Sequence, residues 1–276
     1  HEYPPFYNGI GAWLLWRKAK VPYVLEIHHI PGFPKAANVK ESIYKNFTRW
    51  FIQYDVSAAR AVRVVNKSQT SGFLKKSNVP EEKIKYIPSL YIDLRIFKPL
   101  GLTKECDLIF VGRLEKNKGA EFFIEAVALL KARALIVGTG PQMKKLQATS
   151  HKLQADVTFY GWAKNSQEVA ELMNKSKILV MPSLNEGGPR VVGEAMACGV
   201  PVIATPVGIV PDLITSGESG EIVEWDGGSI AMRADKLLKD PLLCSRYSQT
   251  GIELAQQFEK KRTVKNYTDT LKRLMV

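Results

Sequence analysis

The chain has 276 residues, 45% hydrophobic and 24% charged, with no low-complexity tract, which is the balance of a globular protein of one large or two ordinary domains. No apolar run of these residues approaches the ~20 residues of a bilayer-spanning helix. The formal net charge of +12 is uneven: residues 1–100 hold 16 Lys and Arg against 7 Asp and Glu, whereas residues 101–276 hold 23 against 20. The first part is therefore expected to face something anionic, and charge alone leaves membrane headgroups, phosphorylated acceptors and nucleic acid open. Cys106, Cys198 and Cys244 are odd in number and scattered, which predicts buried thiols in a reducing compartment, not a disulfide framework or a metal site.

In chain order, residues 8–19 read as a helix. Its Trp13, Leu14 and Trp16 are expected to pack on a sheet, and a membrane-surface role is the alternative. VPYVLEI (21–27) reads as a buried strand ending in His28-His29-Ile30-Pro31-Gly32, and polar residues at that end of a parallel strand stand where open α/β sheets bind ligands. A helix over 39–54, a strand over 61–66, an N-cap at Ser68 and a strand over 83–88 follow. This is half a doubly wound sheet. Because the chain also opens on His1 rather than Met, amino-terminal βα units are expected to be missing. Residues 91–102 have no clear period and read as a linker.

From Asp107 the alternation restarts. Strands are predicted over 107–112, 134–138, 157–161, 178–182, 200–205 and 220–225, with helices over 120–131, from Pro141, around 166–174, and over 228–239, 242–257 and 259–276. Near-continuous apolar strands separated by helices mean a parallel sheet covered on both faces.

The most informative stretch is Ser183-Leu184-Asn185-Glu186-Gly187-Gly188-Pro189-Arg190-Val191-Val192-Gly193-Glu194-Ala195-Met196-Ala197-Cys198-Gly199. It reads as a glycine-rich turn opening a helix, with Pro189 suited to the first helical turn. Such a turn presents backbone N–H groups at the positive end of the helix dipole, an arrangement that suits phosphate. Glu186 and Glu194 bracket it with seven residues between them. Arg190 and Glu194 are four apart, so a simple surface ion pair is the rival reading. Retaining hydrolases need two carboxyls about 5–5.5 Å apart across the bond, whereas this spacing points to one wall, which disfavours hydrolysis.

Together with Gly112-Arg113-Leu114, Lys118-Gly119, Gly138-Thr139-Gly140-Pro141 and Phe159-Tyr160-Gly161, this stretch resembles the retaining family 4 glycosyltransferases and their glutamate–seven–glutamate motif. The resemblance implies the GT-B fold: two facing Rossmann-like α/β domains with parallel sheets. Here these are a truncated acceptor-side domain over 1–99, a nucleotide-sugar domain over 100–258 and a helix over 259–276 crossing back. It implies a metal-independent hexosyltransferase that moves a sugar from a UDP- or GDP-sugar to a glycan or lipid-linked hydroxyl, in cell-surface polysaccharide or glycolipid synthesis.

By the same resemblance, Arg113 and Lys118 grip the donor diphosphate, Glu186 binds the donor sugar and Glu194 the ribose. The backbone of roughly Gly188, Pro189, Arg190 and Val191 meets the phosphates, with Gly187 also counted in the donor site, and Gly161 borders the base. His28 matches the first-domain histidine near the reacting sugar, while His29 stands where Gly or Asp is commoner, so the choice between the two stays open. The linker Pro88-Ser89-Leu90-Tyr91-Ile92-Asp93 departs from the common Pro-Asn-Gly-Val-Asp. No Asp-x-Asp pair is present to hold a metal, and the helix dipole with Arg113 and Lys118 is expected to substitute for one. No cofactor beyond the donor and no nucleic-acid partner are expected. The expected location is cytoplasmic, with peripheral contact at the inner membrane face as an alternative. A sugar-nucleotide epimerase of the same architecture, or a truncated chain that binds nucleotide without turnover, are the rival functions.

Overall fold

The structure is a computed structural model that describes residues 7–275; residues 1–6 and Val276, which belong to the expected first domain and closing helix, lie outside the described residues. The first part runs α1 (Tyr7–Ala19), β1 (Val24–Ile27), α2 (Val39–Asp55), β2 (Ala61–Val64), α3 (Thr70–Lys75) and β3 (Ile84–Tyr86). Its three strands are parallel in the order β1-β2-β3. Leu25, Ile27, Val62 and Val64 face Ile52 and Val56 of the α2 region in one apolar cluster.

The second part runs β4 (Cys106–Val111), α4 (Ala120–Leu130), β5 (Ala134–Val137), α5 (Met143–Lys152), β6 (Val157–Gly161), α6 (Ser166–Asn174), β7 (Ser176–Met181), α7 (Arg190–Ala197), β8 (Val202–Ala204), α8 (Val210–Leu213), β9 (Glu221–Ile222), α9 (Gly227–Lys239) and α10 (Pro241–Gln256). Then α11 (Lys260–Met275) returns to the first sheet, where Tyr267 Oη donates to Glu26 at 2.7 Å and the Arg63 guanidinium lies 4.6 Å from the Tyr267 ring centroid. All six strands are parallel, in the order β6-β5-β4-β7-β8-β9.

In sequence terms that order is 3-2-1-4-5-6, so the connections reverse direction between β4 and β7. The loops after those two strands diverge there and leave a crevice at their carboxyl ends. Alternation sends Leu108 and Phe110 to one face, against Phe123 and Val127 of α4 and Ile230 of α9, while Ile109 faces Val192 and Met196 of α7. The linker is paired rather than loose: Ile92 N donates to the Phe258 carbonyl at 2.8 Å and Lys260 N to the Ile92 carbonyl at 2.9 Å. The two chain crossings thus run side by side.

Several expectations change. α1 forms as predicted but packs against α2, leaving Leu14 and Leu15 exposed; its apolar residues are spread around the helix, so one contact line cannot bury them all. Ser68 is not an N-cap: its N–H donates to Asp212, while the Asn66 side chain accepts from Thr70 N at 2.6 Å. The helix after Pro141 starts at Met143, and β1 starts at Val24, beyond the missing N–H of Pro22. Pro189 precedes α7 as its cap, with the helix beginning at Arg190. The short α8 has too few residues to show a period in the sequence.

Phe123 is fully buried and Leu129 is 66% exposed on the same helix. Phe123→Ala is expected to destabilise by ~3–5 kcal/mol, and Leu129→Ala by no more than ~0.5 kcal/mol. Urea midpoints of the two variants check this, and equal midpoints contradict the assigned face of α4.

Candidate donor site at the switch point

The turn after β4 and the turn after β7 meet at the crevice. Lys116–Lys118 form one helical turn ended by Gly119 at φ +66°. A Cβ there would lie 2.1 Å from the Pro182 carbonyl oxygen, so only glycine lets the first turn close on the chain leaving β7. That closure carries Lys118 Nζ onto Glu186 Oε1, which also accepts from Ser183 Oγ at 3.0 Å. Both side chains of the ion pair are about four-fifths covered. A cation and a carboxylate from residues 68 apart are therefore held together where the sheet opens.

The loop bearing Glu186 is fixed from both sides. From the second domain, Thr205 Oγ1 donates to the Ser183 carbonyl at 2.6 Å and Trp225 Nε1 donates to the same oxygen at 2.9 Å. From the first domain, Asn66 Nδ2 donates to the Gly187 carbonyl at 3.1 Å. Asn185 Nδ2 bonds the Lys35 carbonyl at 3.1 Å and Glu41 at 3.0 Å. Gly187 packs so tightly on the first domain that a Cβ would lie 2.1 Å from the His28 carbonyl oxygen. The turn bearing Glu186 is thus also the interdomain contact.

Of the other expected residues, Arg113 leans on Glu115 at 3.0 Å and is mostly exposed at the crevice edge. Glu194 lies on α7 and is nearly buried. Burial pushes its carboxyl up, against an opposing pull from Arg190 at 3.3 Å. The ion pair weighed from sequence therefore exists, and it stands at the entrance to a buried carboxylate. The Arg190 guanidinium also lies 4.5 Å from the Tyr91 ring centroid. Gly188 sits beside Ser89, and Gly161 closes β6, its carbonyl accepting from Gly138 N at 2.7 Å.

The histidines divide. His28, favoured from sequence, turns its Nε2 toward Glu26 at 3.5 Å and Arg63 at 3.4 Å, on the side covered by α11. His29 lies in the field of Glu186 and Lys118; burial lowers its pKa and Glu186 raises it, burial being the larger. His29 is electrostatically coupled to Glu186. Asn66, Asn185, Glu41 and Trp225 are contributors that sequence reading missed. Only Asn66, polar at a strand end, carried a signal; the rest acquire their roles from distant chain segments.

The model of the family glycosyl transferases group 1 matches residues 92–254, more than half of the chain. The chain belongs to that family. It is 27% identical over 268 residues to an uncharacterized glycosyltransferase of Methanocaldococcus jannaschii, covering 96% of this chain and 72% of that one. Several other relatives are covered only to about half their length. Among solved structures, sucrose-phosphate synthase of Thermosynechococcus elongatus superposes with a TM-score of 0.84 at 22% identity, covering 98% of this chain and 72% of that one. Anabaena HepE, determined with UDP and glucose, superposes with a TM-score of 0.80 at 19% identity, covering 97% and 76%. These likenesses establish the fold: an α/β protein of GT-B architecture with Rossmann-like parallel sheets.

Glu26 joins β1 to α11. Hydrogen bonding to His28, with Tyr267 and Arg63 adding to it against burial, holds its carboxyl at about 2 instead of 4.5. A depressed carboxyl stabilises the fold above its unfolded pKa and loses that contribution as pH falls toward the folded value. Glu26→Gln is therefore expected to be less stable than wild type at neutral pH, with the gap in urea midpoint closing between about 4.5 and about 2. A gap independent of pH contradicts the tether.

Proposed function

We propose that this chain is a retaining glycosyltransferase of family 4 type that moves a hexose-type sugar from a UDP- or GDP-sugar to a hydroxyl of a glycan or lipid-linked acceptor. Cell-surface polysaccharide or glycolipid synthesis on the cytoplasmic side is the setting this implies. The observation that carries the reading is the Lys118–Glu186 pair, brought from two separate turns to the switch point and held by both domains. The likeness to Anabaena HepE, solved in complex with UDP-glucose, supports a nucleotide-sugar donor.

In this reading the amides at the start of α7 and the cations Lys118 and Arg113 meet the diphosphate. Charge developing on the leaving group is stabilised by groups already in place, without a resident metal. Glu194 accepts from the ribose hydroxyls and Glu186 from those of the sugar, each a carboxylate meeting O–H donors. Donor binding separates Lys118 from Glu186 in part, freeing one for phosphate and the other for sugar. His29, its pKa lowered by burial, serves as a hydrogen-bonding wall of the sugar pocket, next to His28. Retention follows from front-face substitution, in which the departing diphosphate takes the proton of the incoming hydroxyl. The protein supplies position and charge, not a covalent nucleophile.

Glu186→Ala and Lys118→Ala are each expected to lower transfer roughly 10²-fold or more, the scale of losing one preorganised contact. Transfer from radiolabelled donor measures this, and near-normal turnover by either variant contradicts the assignment. Incubation with donor alone separates the rival enzyme class: an epimerase converts the sugar nucleotide, whereas a transferase only hydrolyses it slowly. Calorimetry with UDP, GDP and ADP beside the turnover assay isolates the third case, binding without catalysis.

A further inference from the structure

Exposed apolar side chains gather on one part of this protein. On α2, Val39, Ile43, Phe47, Trp50 and Tyr54 are all exposed. They recur at intervals of four, four, three and four, the spacing of a single helix face. The buried residues Thr48, Ile52 and Asp55 lie on the opposite face. The larger apolar side chains of α2 thus lie on its outward side, while its inward side buries Ile52 with the polar Thr48 and Asp55. The outward side is a ladder of rings: Phe47 and Trp50 have centroids 5.9 Å apart, and Trp50 and Tyr54 5.8 Å. Beside it, α1 exposes Leu14 and Leu15.

The charge around the ladder has one sign. Lys40 and Arg49 flank it on α2, and Arg17 and Lys18 close the last turn of α1. The acids of α2 are withdrawn from this face. Glu41 accepts from Ala37 N at 2.8 Å and from Asn185 at 3.0 Å, and Asp55 is buried. Trp and Tyr rings with a cationic fringe suit a boundary that is apolar on one side and anionic on the other. A nucleic acid would leave Val39 and Ile43 without a role. A protein partner would have to present an unbroken acidic rim.

We propose that the outward face of α2, with α1 beside it, docks on an anionic lipid bilayer. Phe47, Trp50 and Tyr54 enter the headgroup–acyl boundary, and Lys40 and Arg49 lie among the lipid phosphates. The contact is interfacial: no helix among the described residues is long and apolar enough to cross a membrane. It places the first domain, and with it the crevice, at the bilayer surface. This inference rests on no part of the donor reading.

Co-sedimentation of the full chain with phosphatidylcholine vesicles, with and without phosphatidylglycerol, tests it. Binding is expected only to the anionic vesicles, weakened by salt and accompanied by a blue shift of tryptophan emission. A basic residue near such a surface changes partitioning about fivefold, so Lys40→Gln with Arg49→Gln lowers it roughly 25-fold. Replacing Phe47, Trp50 and Tyr54 together by Ser abolishes the blue shift, and a wild-type urea midpoint shows that this variant folds. The charge variant alters only exposed side chains and tests the proposal independently of that check. Equal binding to neutral vesicles, wild-type binding by both variants, or a concentration-dependent dimer that the Ser variant dissolves in place of vesicle binding overturns the proposal.

Discussion

The structure depends on one tight approach: the backbone of Gly187 against the carbonyl of His28. No side chain fits in that gap, so the loop after β7 can lie directly on the first domain. The Asn66 bond to the Gly187 carbonyl and the Asn185 bonds to Lys35 and Glu41 surround the contact. The same loop carries Glu186, so one piece of chain both joins the domains and builds the candidate donor site. A change in the spacing of the domains therefore moves the glutamate as well.

The parallel sheet explains why the contact falls there. Where connections reverse between β4 and β7, no helix crosses the strand ends, and the loops after both strands are free to project into one space. Gly119 lets the first loop close on the chain leaving β7, which brings Lys118 to Glu186. An ion pair so covered is costly to desolvate and gains mainly by being well met. Ser183 supplies a further hydrogen bond to the carboxylate, and the positive start of α7 lies close behind it. The arrangement suits a site whose charges are exchanged for those of a ligand.

The closing helix and the linker extend the same logic. α11 spans back to the first sheet and is held there by Tyr267 on Glu26 and by Arg63 over the Tyr267 ring. Ile92 meanwhile pairs with the strand-like entry to that helix. Two adjacent crossings constrain the domains far more than one flexible linker does, because the second closes a loop already formed by the first.

Much of this was legible in the residues. Strand–turn–helix alternation, the helix over 166–174, the parallel sheet and the glycine-rich opening of α7 follow from periodicity and from turn chemistry, which act over a few neighbouring residues. Glu186, Lys118 and Arg113 stand out in the sequence because their turns resemble the motifs of a known family, at the ends of recognisable strands. Other features depend on which distant segments meet. That His29 lies in the field of Glu186, that Asn66 and Asn185 pin the loop bearing Glu186, and that α1 leaves Leu14 exposed are outcomes of packing. The aromatics of α2 are visible in the sequence as part of a helix over 39–54, but which of its faces is buried is decided only by packing. The sequence alone determined the elements, their order and the chemistry of the donor turn, since these arise from local backbone preferences and spacing. Tertiary structure alone decided which bonds pin the loop bearing Glu186 and which face of α2 confronts the outside, because contacts between residues up to 241 positions apart exist only once both sheets have packed.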